Sequence, residues 1–188
     1  MPDGPQKDHI SASLDLAVQG DAAAFAEIVA AHQAMVFSIA LHYLQDRSLA
    51  EDVAQEVFLE LYQNLEAIES AVHLKFWLRR VAVHRCIDQG RRRNHRRETA
   101  LEGLPEPAAE SAMADPALLG RLRQTLEALP EKQRMIVILR YQEDLGPEEI
   151  AELLRMPVNT VKSTLHRSVE ELRRRLSRKL GEIRYAIF

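Results

Sequence analysis

The chain has 188 residues, which is enough for one medium-sized domain or two small ones, each with a modest core. Hydrophobic residues make up 46% of it, aromatic residues only 5%, and glycine occurs 7 times, so the composition predicts an all-α protein. The net charge of −3 excludes a strong bulk attraction to nucleic acid, and the single cysteine, Cys86, excludes an internal disulfide, which fits a reducing cytoplasm.

The N-terminal segment MPDGPQKDHISASL has no apolar core of signal-peptide length, and no later stretch approaches a membrane span, so we expect no membrane insertion. A first helical unit is predicted from Ile10 to about Arg97. Asp21 is a good N-cap for its first long helix, which the run 45–48 interrupts. The side chains expected to face inward from that helix are Phe25, Ile28, Val29, Met35, Val36, Ile39 and Ala40.

The next predicted helix, about residues 49–65, has an apolar stripe at steps of four residues: Val53, Val57, Leu61 and Leu65. Acidic and amide side chains lie off that stripe, at Glu51, Asp52, Gln55, Glu56 and Glu60. Residues 66–73 have weak periodicity and predict a loop. A further helix, residues 74–92, is predicted to bury Trp77, Leu78, Val81, Ala82 and Ile87.

The charges are unevenly distributed along the chain. Eight arginines and one acid lie between Arg79 and Arg97, whereas five acids and no basic residue lie between Glu98 and Asp115. Residues 99–116 also contain Gly103 and prolines at 105, 107 and 116 without any helical stripe, so this acidic segment is predicted to be a linker.

A second helical unit is predicted over residues 117–180, with helices at 117–128, 131–143, 147–154 and 158–180. Prolines at 130, 147 and 157 lie near three of these helix starts, where a missing N–H costs little. The last two helices, joined by a three-residue turn, match a helix-turn-helix. The second of them has a polar, basic outer face, formed by Asn159, Lys162, Ser163, His166 and Arg167. Spacing alone also allows an ordinary helical hairpin with a solvated face.

Two sets of motifs carry a family resemblance. "LEALPEKQRMIVILRYQEDLGPEEIAELLRMPVNTVKSTLHRSVEELRRRL" resembles the promoter-binding fourth region of bacterial sigma factors of the extracytoplasmic-function (ECF) group. "DAAAFAEIVAAHQAMVFSIALHYLQDRSLAEDVAQEVFLELYQNL" and "FWLRRVAVHRCIDQGRRR" resemble their second region. The resemblance covers roughly residues 14–97 and 118–178. It implies two small helical domains, 1–98 and 116–188, joined by a flexible linker, 99–115.

The resemblance implies a bacterial cytoplasmic protein that is not an enzyme and needs no cofactor or metal. Its partners are core RNA polymerase, promoter DNA as duplex and as opened single strand, and an anti-sigma factor. The residues that match polymerase contacts are Glu51, Asp52, Gln55 and Glu56. The candidates for contacts with the minus-thirty-five element are Asn159, Lys162, Ser163, Thr164, His166 and Arg167. The candidates for the minus-ten element are Ile68, His73, Arg79, Arg80, His84, Arg85, Arg91, Arg92 and Arg93.

The chain departs from the family pattern at four positions. The turn of the helix-turn-helix has Arg155 where the family usually has glycine, so a left-handed non-glycine residue is expected there. Asn159, Thr164 and His84 replace a common Gly, Arg and Asn, which affects the promoter sequence that is read rather than the fold.

The residues alone also leave other interpretations open. The acidic face and the arginines could simply be solvated, and Trp77 fits a core position better than a stacking platform. His84 and Cys86 lie two residues apart on a helix and point to different faces, which argues against a metal site. A DNA-binding regulator that does not carry polymerase is the main alternative function, and the AEDVAQEVFL segment argues against it. An enzyme with an appended helix-turn-helix lacks a catalytic constellation in residues 1–100.

Overall fold

The computed structural model describes residues 4–99 and 116–186, with side chains at 9–93 and 120–177. Within these ranges the chain is helical and contains no strand, so the predicted all-α class is confirmed. Residues 100–115 of the predicted linker, and the side chains of Arg96 and Arg97, lie outside the described residues.

The chain forms two units, Met1–Leu104 and Pro105–Phe188. The helices of the first unit are α1 Gly4–Val18, α2 Ala22–Leu44, α3 Arg47–Gln63 and α4 Ala71–Thr99, with a 3₁₀ turn at Leu65–Ala67. The helices of the second unit are α5 Pro116–Glu127, α6 Glu131–Tyr141, α7 Pro147–Leu154 and α8 Val158–Ala186.

Two aspartates set the helix starts in the first unit. The predicted cap at Asp21 is confirmed, because its carboxylate accepts hydrogen bonds from the backbone N–H groups of Ala23 and Ala24 at 2.8 and 3.2 Å. After α2, Gln45 adopts a left-handed backbone with a φ of 53°. Asp46 then caps α3 by accepting from the N–H of Leu49 at 3.1 Å. The predicted break is therefore a two-residue turn that sends α3 back along α2.

The core of the first unit forms where α2 contacts α1, α3 and α4. Of the side chains expected to face inward from α2, Ile28, Val36, Ile39 and Ala40 are buried. The other three are only half-buried: Phe25, Val29 and Met35. Near the end of α2 the ring of Tyr43 is fully buried against α4. A Cβ at Gly90 of α4 would lie 3.0 Å from Cε1 of that ring, so the absence of a side chain allows this close packing.

The segment before α4 differs from the predicted loop. The 3₁₀ turn occupies its first part, and α4 begins at Ala71 because Ser70 accepts hydrogen bonds from the N–H groups of His73 and Leu74. Between these helices Ile68 is only 6% exposed, so its side chain belongs to the core. The irregular connection is therefore shorter than the sequence pattern indicated.

One helix among the described residues, α2, is long and apolar enough to cross a membrane, with a mean hydropathy of 1.6 over its most apolar window. On length and composition alone, the expectation that no stretch approaches a membrane span is wrong. Core helices of soluble proteins and signal sequences meet the same criteria. In this structure α2 packs against three other helices, which accounts for its buried apolar residues.

The second unit contains the predicted helix-turn-helix, α7 and α8. Pro147 is the first residue of α7, and the Glu149 carboxylate accepts from the N–H of Gly146 at 2.8 Å. The turn contains the expected left-handed residue, Arg155, with a φ of 51°. The buried sides of α7 and α8 contain Ile150, Leu153 and Val161, each 1% exposed or less. The two helices therefore share one core.

Candidate functional site

The outer face of α8 carries most of the residues predicted to contact the minus-thirty-five element. The five exposed members of that set are Asn159, Lys162, Ser163, His166 and Arg167. The opposite face is anchored by Val161 and Leu172, which are 0% and 9% exposed. The apolar stripe therefore fixes which side chains of α8 are available to an outside partner.

Thr164 does not belong to that exposed set. It is 8% exposed, and the neighbouring Ser168, fully buried, donates its hydroxyl hydrogen bond to the Thr164 carbonyl at 2.8 Å. Positions two apart on an α-helix are separated by about 200°. Thr164 thus points away from Lys162, and in this structure its side chain does not lie on the exposed face of α8 with the other predicted DNA contacts.

The exposed cations of α8 have different surroundings. The ammonium of Lys162 lies 3.0 Å from a carboxylate oxygen of Glu148 on α7, and this hydrogen bond lowers the pKa of Glu148 below its usual value. Arg167 donates only through Nε, to the Ser163 carbonyl at 3.2 Å. Its two terminal nitrogens make no hydrogen bond within the described residues, so they can reach an outside acceptor.

Helix α4 arranges its predicted DNA contacts on more than one face. His73, Arg80, His84 and Arg91 are spaced by 7, 4 and 7 residues, which places them on one side of the helix over about 27 Å. Arg93 points elsewhere, since it donates to the Leu44 carbonyl at the end of α2 at 2.7 Å. This arginine closes the C-terminus of α2 in the described structure.

The remaining minus-ten candidates also divide. Arg92 is exposed, and Arg79 lies about 120° away from the shared face of α4. The side chain of Ile68 is buried in the core, so in this structure it is not available to DNA. His73 accepts from the N–H of Glu69 at 3.2 Å and so helps to shape the short connection before α4.

Arg85 has a different partner from the one the sequence suggested. It donates two hydrogen bonds to one oxygen of Glu60 on α3, at 2.7 and 3.2 Å, and a third to Glu56 at 3.3 Å. The hydrogen bond to Glu60 raises the pKa of Arg85 above its usual value. In this structure Arg85 joins α4 to the acidic side of α3, and the predicted phosphate contact stays a prediction.

The predicted polymerase contacts, Glu51, Asp52, Gln55 and Glu56, are all exposed on α3. Two of them, Glu51 and Gln55, line an open groove of about 740 Å³ between α2 and α3, here called the α2–α3 groove. Its lining includes Phe25, Val29, Phe37, Phe58, Leu59 and Tyr62, together with Glu51 and Gln55.

Sequence reasoning missed this groove. Leu59 and Tyr62 are 59% and 58% exposed, although both are large and apolar. The Tyr62 ring meets Phe25 edge to face with centroids 5.2 Å apart. The sequence did contain a signal for the groove, because Gln55, Leu59 and Tyr62 are spaced by four and three residues. This spacing places them in a second row along α3, beside the buried stripe.

No group of three or more metal-ligating side chains occurs among the described residues. Cys86 is buried while His84 is exposed, so these two side chains point in different directions, as their spacing predicted.

Family models identify both units. The model of Sigma-70 region 2 matches residues 28–97, and that of Sigma-70, region 4 matches residues 119–172. The ECF RNA polymerase sigma factor SigW of Bacillus subtilis (strain 168) is 31% identical over 171 residues, which cover 84% of this chain and 91% of SigW. The RNA polymerase sigma-E factor of Streptomyces coelicolor is 34% identical over 157 residues, covering 84% and 88% of the two chains.

A solved structure shares the fold. It is the sigma factor RpoE from Bartonella quintana, in complex with the anti-sigma factor NepR, with a TM-score of 0.69 and 20% identity over 81% of this chain and 96% of that one. The two family matches together cover more than half of the chain, in the order in which the two units occur. The chain therefore belongs to the sigma-70 family as an ECF RNA polymerase sigma factor, whose role is to bind core polymerase and recognise promoters.

Proposed function

We propose that α3 provides the polymerase-binding surface, whereas α8 and α4 contact the minus-thirty-five and minus-ten elements. The observation that carries the polymerase contact is the set of exposed acidic and amide side chains on α3, two of which, Glu51 and Gln55, line the open α2–α3 groove. Acidic groups give electrostatic attraction to a basic partner, and an apolar groove adds the burial that a stable interface needs. Leu59 and Tyr62 are the apolar anchors in this proposal.

In the second unit, the exposed face of α8 enters the major groove. Arg167 is the best candidate for reading a guanine edge, because its terminal nitrogens can donate in parallel to two acceptors. Lys162 contacts a phosphate, which contributes affinity without reading sequence. Asn159, Ser163 and His166 complete the contact surface on the same face.

In the first unit, the shared face of α4 lies along the minus-ten element. Arg80 and Arg91 neutralise phosphates, while His73 and His84 approach bases at the opened strand. Arg92 extends the basic surface toward the upstream duplex. Arg79 lies off this face and is a secondary backbone contact.

The remaining assignments concern the whole chain. The two functional domains are 1–98 and 116–188, and the acidic segment 99–115 connects them on the polymerase surface. The protein acts in the bacterial cytoplasm as a binding factor and not as an enzyme. An anti-sigma factor, like the one bound to the Bartonella quintana relative, regulates it by competing with polymerase.

The polymerase contact is tested by reversing the charges of Asp52 and Glu56 to lysine in the full chain. We expect core binding to weaken strongly while helix content, measured by circular dichroism, stays the same. The matched control is Asp15→Lys with Glu66→Lys, which makes the same charge change at exposed positions outside the acidic row of α3. A folded Asp52/Glu56 variant with unchanged core affinity would rule out this surface.

The promoter contacts are tested by run-off transcription on a randomised promoter library with core polymerase. We expect the transcribed templates to be enriched in one sequence at the minus-thirty-five element and another at the minus-ten element. Transcription without any selection at the upstream element would contradict the role of α8.

A further inference from the structure

Arg85 links the two surfaces that the proposed function treats separately. Its guanidinium extends from α4 to α3 and bonds to Glu60 and Glu56, which lie one turn apart. The side chain of Glu60 is 32% exposed and that of Glu56 is 54% exposed, so the link is only partly open to water. Hydrogen bonds between charged groups are stronger than those between neutral groups, and the planar guanidinium also fixes the orientation of the carboxylates that it bonds.

Arg85 offsets part of a row of like charges on α3. Asp52, Glu56 and Glu60 recur every four residues, and carboxylates at this spacing repel one another. The bonding is uneven, since Glu60 receives the two N–H groups at 2.7 and 3.2 Å and Glu56 receives one at 3.3 Å. Glu56 is thus bonded by Arg85, while about half of its side chain, 54%, remains exposed to a partner.

We propose that Arg85 is a positioning residue for polymerase binding, which holds Glu56 in the orientation that the partner meets. This role rests on the proposed contact between Glu56 and polymerase. A side chain already fixed in its bound orientation loses less freedom on association, so binding is tighter than with a mobile carboxylate. Arg85 acts through Glu56 and does not itself contact the partner.

A double-mutant cycle on the full chain tests the proposal, with equilibrium affinity for core polymerase as the readout. The variants are Arg85→Met, Glu56→Gln and the two combined. The matched control is Lys75→Met, which removes one positive charge from an exposed position on the same helix. Thermal unfolding of each variant reports on folding. Arg85→Lys provides a second variant that keeps the charge but cannot hold both carboxylates with the same geometry.

We expect Arg85→Met to lower core affinity about three- to tenfold and Lys75→Met to leave it unchanged. In the Glu56→Gln background, the Arg85 substitution should cause no further loss, because the carboxylate that it positions is already absent. Arg85→Lys should fall between the wild type and Arg85→Met. If Arg85→Met does not fold, the same cycle is run with Arg85→Lys.

Four results would overturn the proposal. Additive losses in the cycle would show that Arg85 supports folding in general, and increased affinity of Arg85→Met would show that it competes with polymerase for Glu56. If Arg85→Met binds core polymerase with unchanged affinity while Glu56→Gln binds more weakly, the positioning role is wrong but the polymerase contact of Glu56 stands. If Glu56→Gln itself binds normally, the proposed polymerase contact is wrong and the positioning role is lost with it.

Discussion

At the level of single residues, Arg167 and Lys162 should have separable effects, although both are cations on one face of α8. Replacing Arg167 by alanine removes a fork that can discriminate between bases by about 1–3 kcal/mol, so we expect weaker binding and a relaxed base preference. Replacing Lys162 by alanine should weaken binding evenly and reduce the salt slope by about one. Binding of the holoenzyme to a randomised upstream duplex at two salt concentrations measures both. An Arg167→Ala variant with wild-type base preference would contradict the reading role.

The ion pair between Lys162 and Glu148 predicts a gain of binding. Glu148 competes with a DNA phosphate for the ammonium of Lys162, so Glu148→Gln should raise DNA affinity. The increase should be modest, because exposed ion pairs are weak. The gain should disappear in a Lys162→Ala background. Glu152→Gln on the same helix serves as the control for general charge removal, because its side chain makes no ion pair within the described residues. Equal gains from both glutamates would indicate a bulk charge effect instead.

Single-residue assignments were the least predictable part of the sequence. Because threonine is polar, Thr164 was expected to be exposed, but its side chain is small enough to be buried in the core. The neighbouring Ser168 is also buried, and its hydroxyl donates to the helix backbone. The partner of Arg85 lies on another helix, 25 residues away for Glu60, and periodicity within α4 carries no information about it. Positions fixed by local chemistry, such as Asp21 and Arg155, were predicted correctly.

At the level of elements, the contact between α2 and α4 depends on Gly90. An alanine there gains about 1 kcal/mol of helix propensity, but its Cβ meets the buried Tyr43 ring at 3.0 Å. Overpacking a rigid core costs about 1–3 kcal/mol, so we expect a net loss of stability. The control is Gly120→Ala on α5, where nothing lies within 4 Å of the added Cβ, and which should stabilise. Urea denaturation measures both variants, and a stabilised Gly90→Ala would show that the two helices separate easily.

Element types followed from the sequence more reliably than element ends. The apolar stripes predicted the long helices α2, α3, α4 and α8, because burial of one face requires that spacing, whereas α1 at Gly4–Val18 was not predicted. The start of α4 was placed three residues late, since the capping hydroxyl of Ser70 gives a weaker signal than the apolar residues that follow. The α2–α3 groove was missed because an exposed apolar row has the same spacing as a buried one.

At the level of the whole molecule, the acidic segment between the units gives a further prediction. Its negative charge should favour a basic surface of the polymerase, so neutralising Glu102, Glu106, Glu110 and Asp115 should lower transcription more than DNA binding. Run-off transcription and promoter binding by the same holoenzyme, measured in parallel, separate the two effects. Equal activity of the neutral variant would mean that the segment acts only as a tether.

The α2–α3 groove also affects how much of the unbound protein can accumulate in a cell. An uncovered apolar surface with aromatic side chains favours self-association and recognition by proteases and chaperones. Protein in excess of its partners should therefore be short-lived and poorly soluble, so that supply of a covering partner limits its abundance. Leu59→Gln with Tyr62→Ser should extend the lifetime of the free chain even as it reduces what the chain can bind.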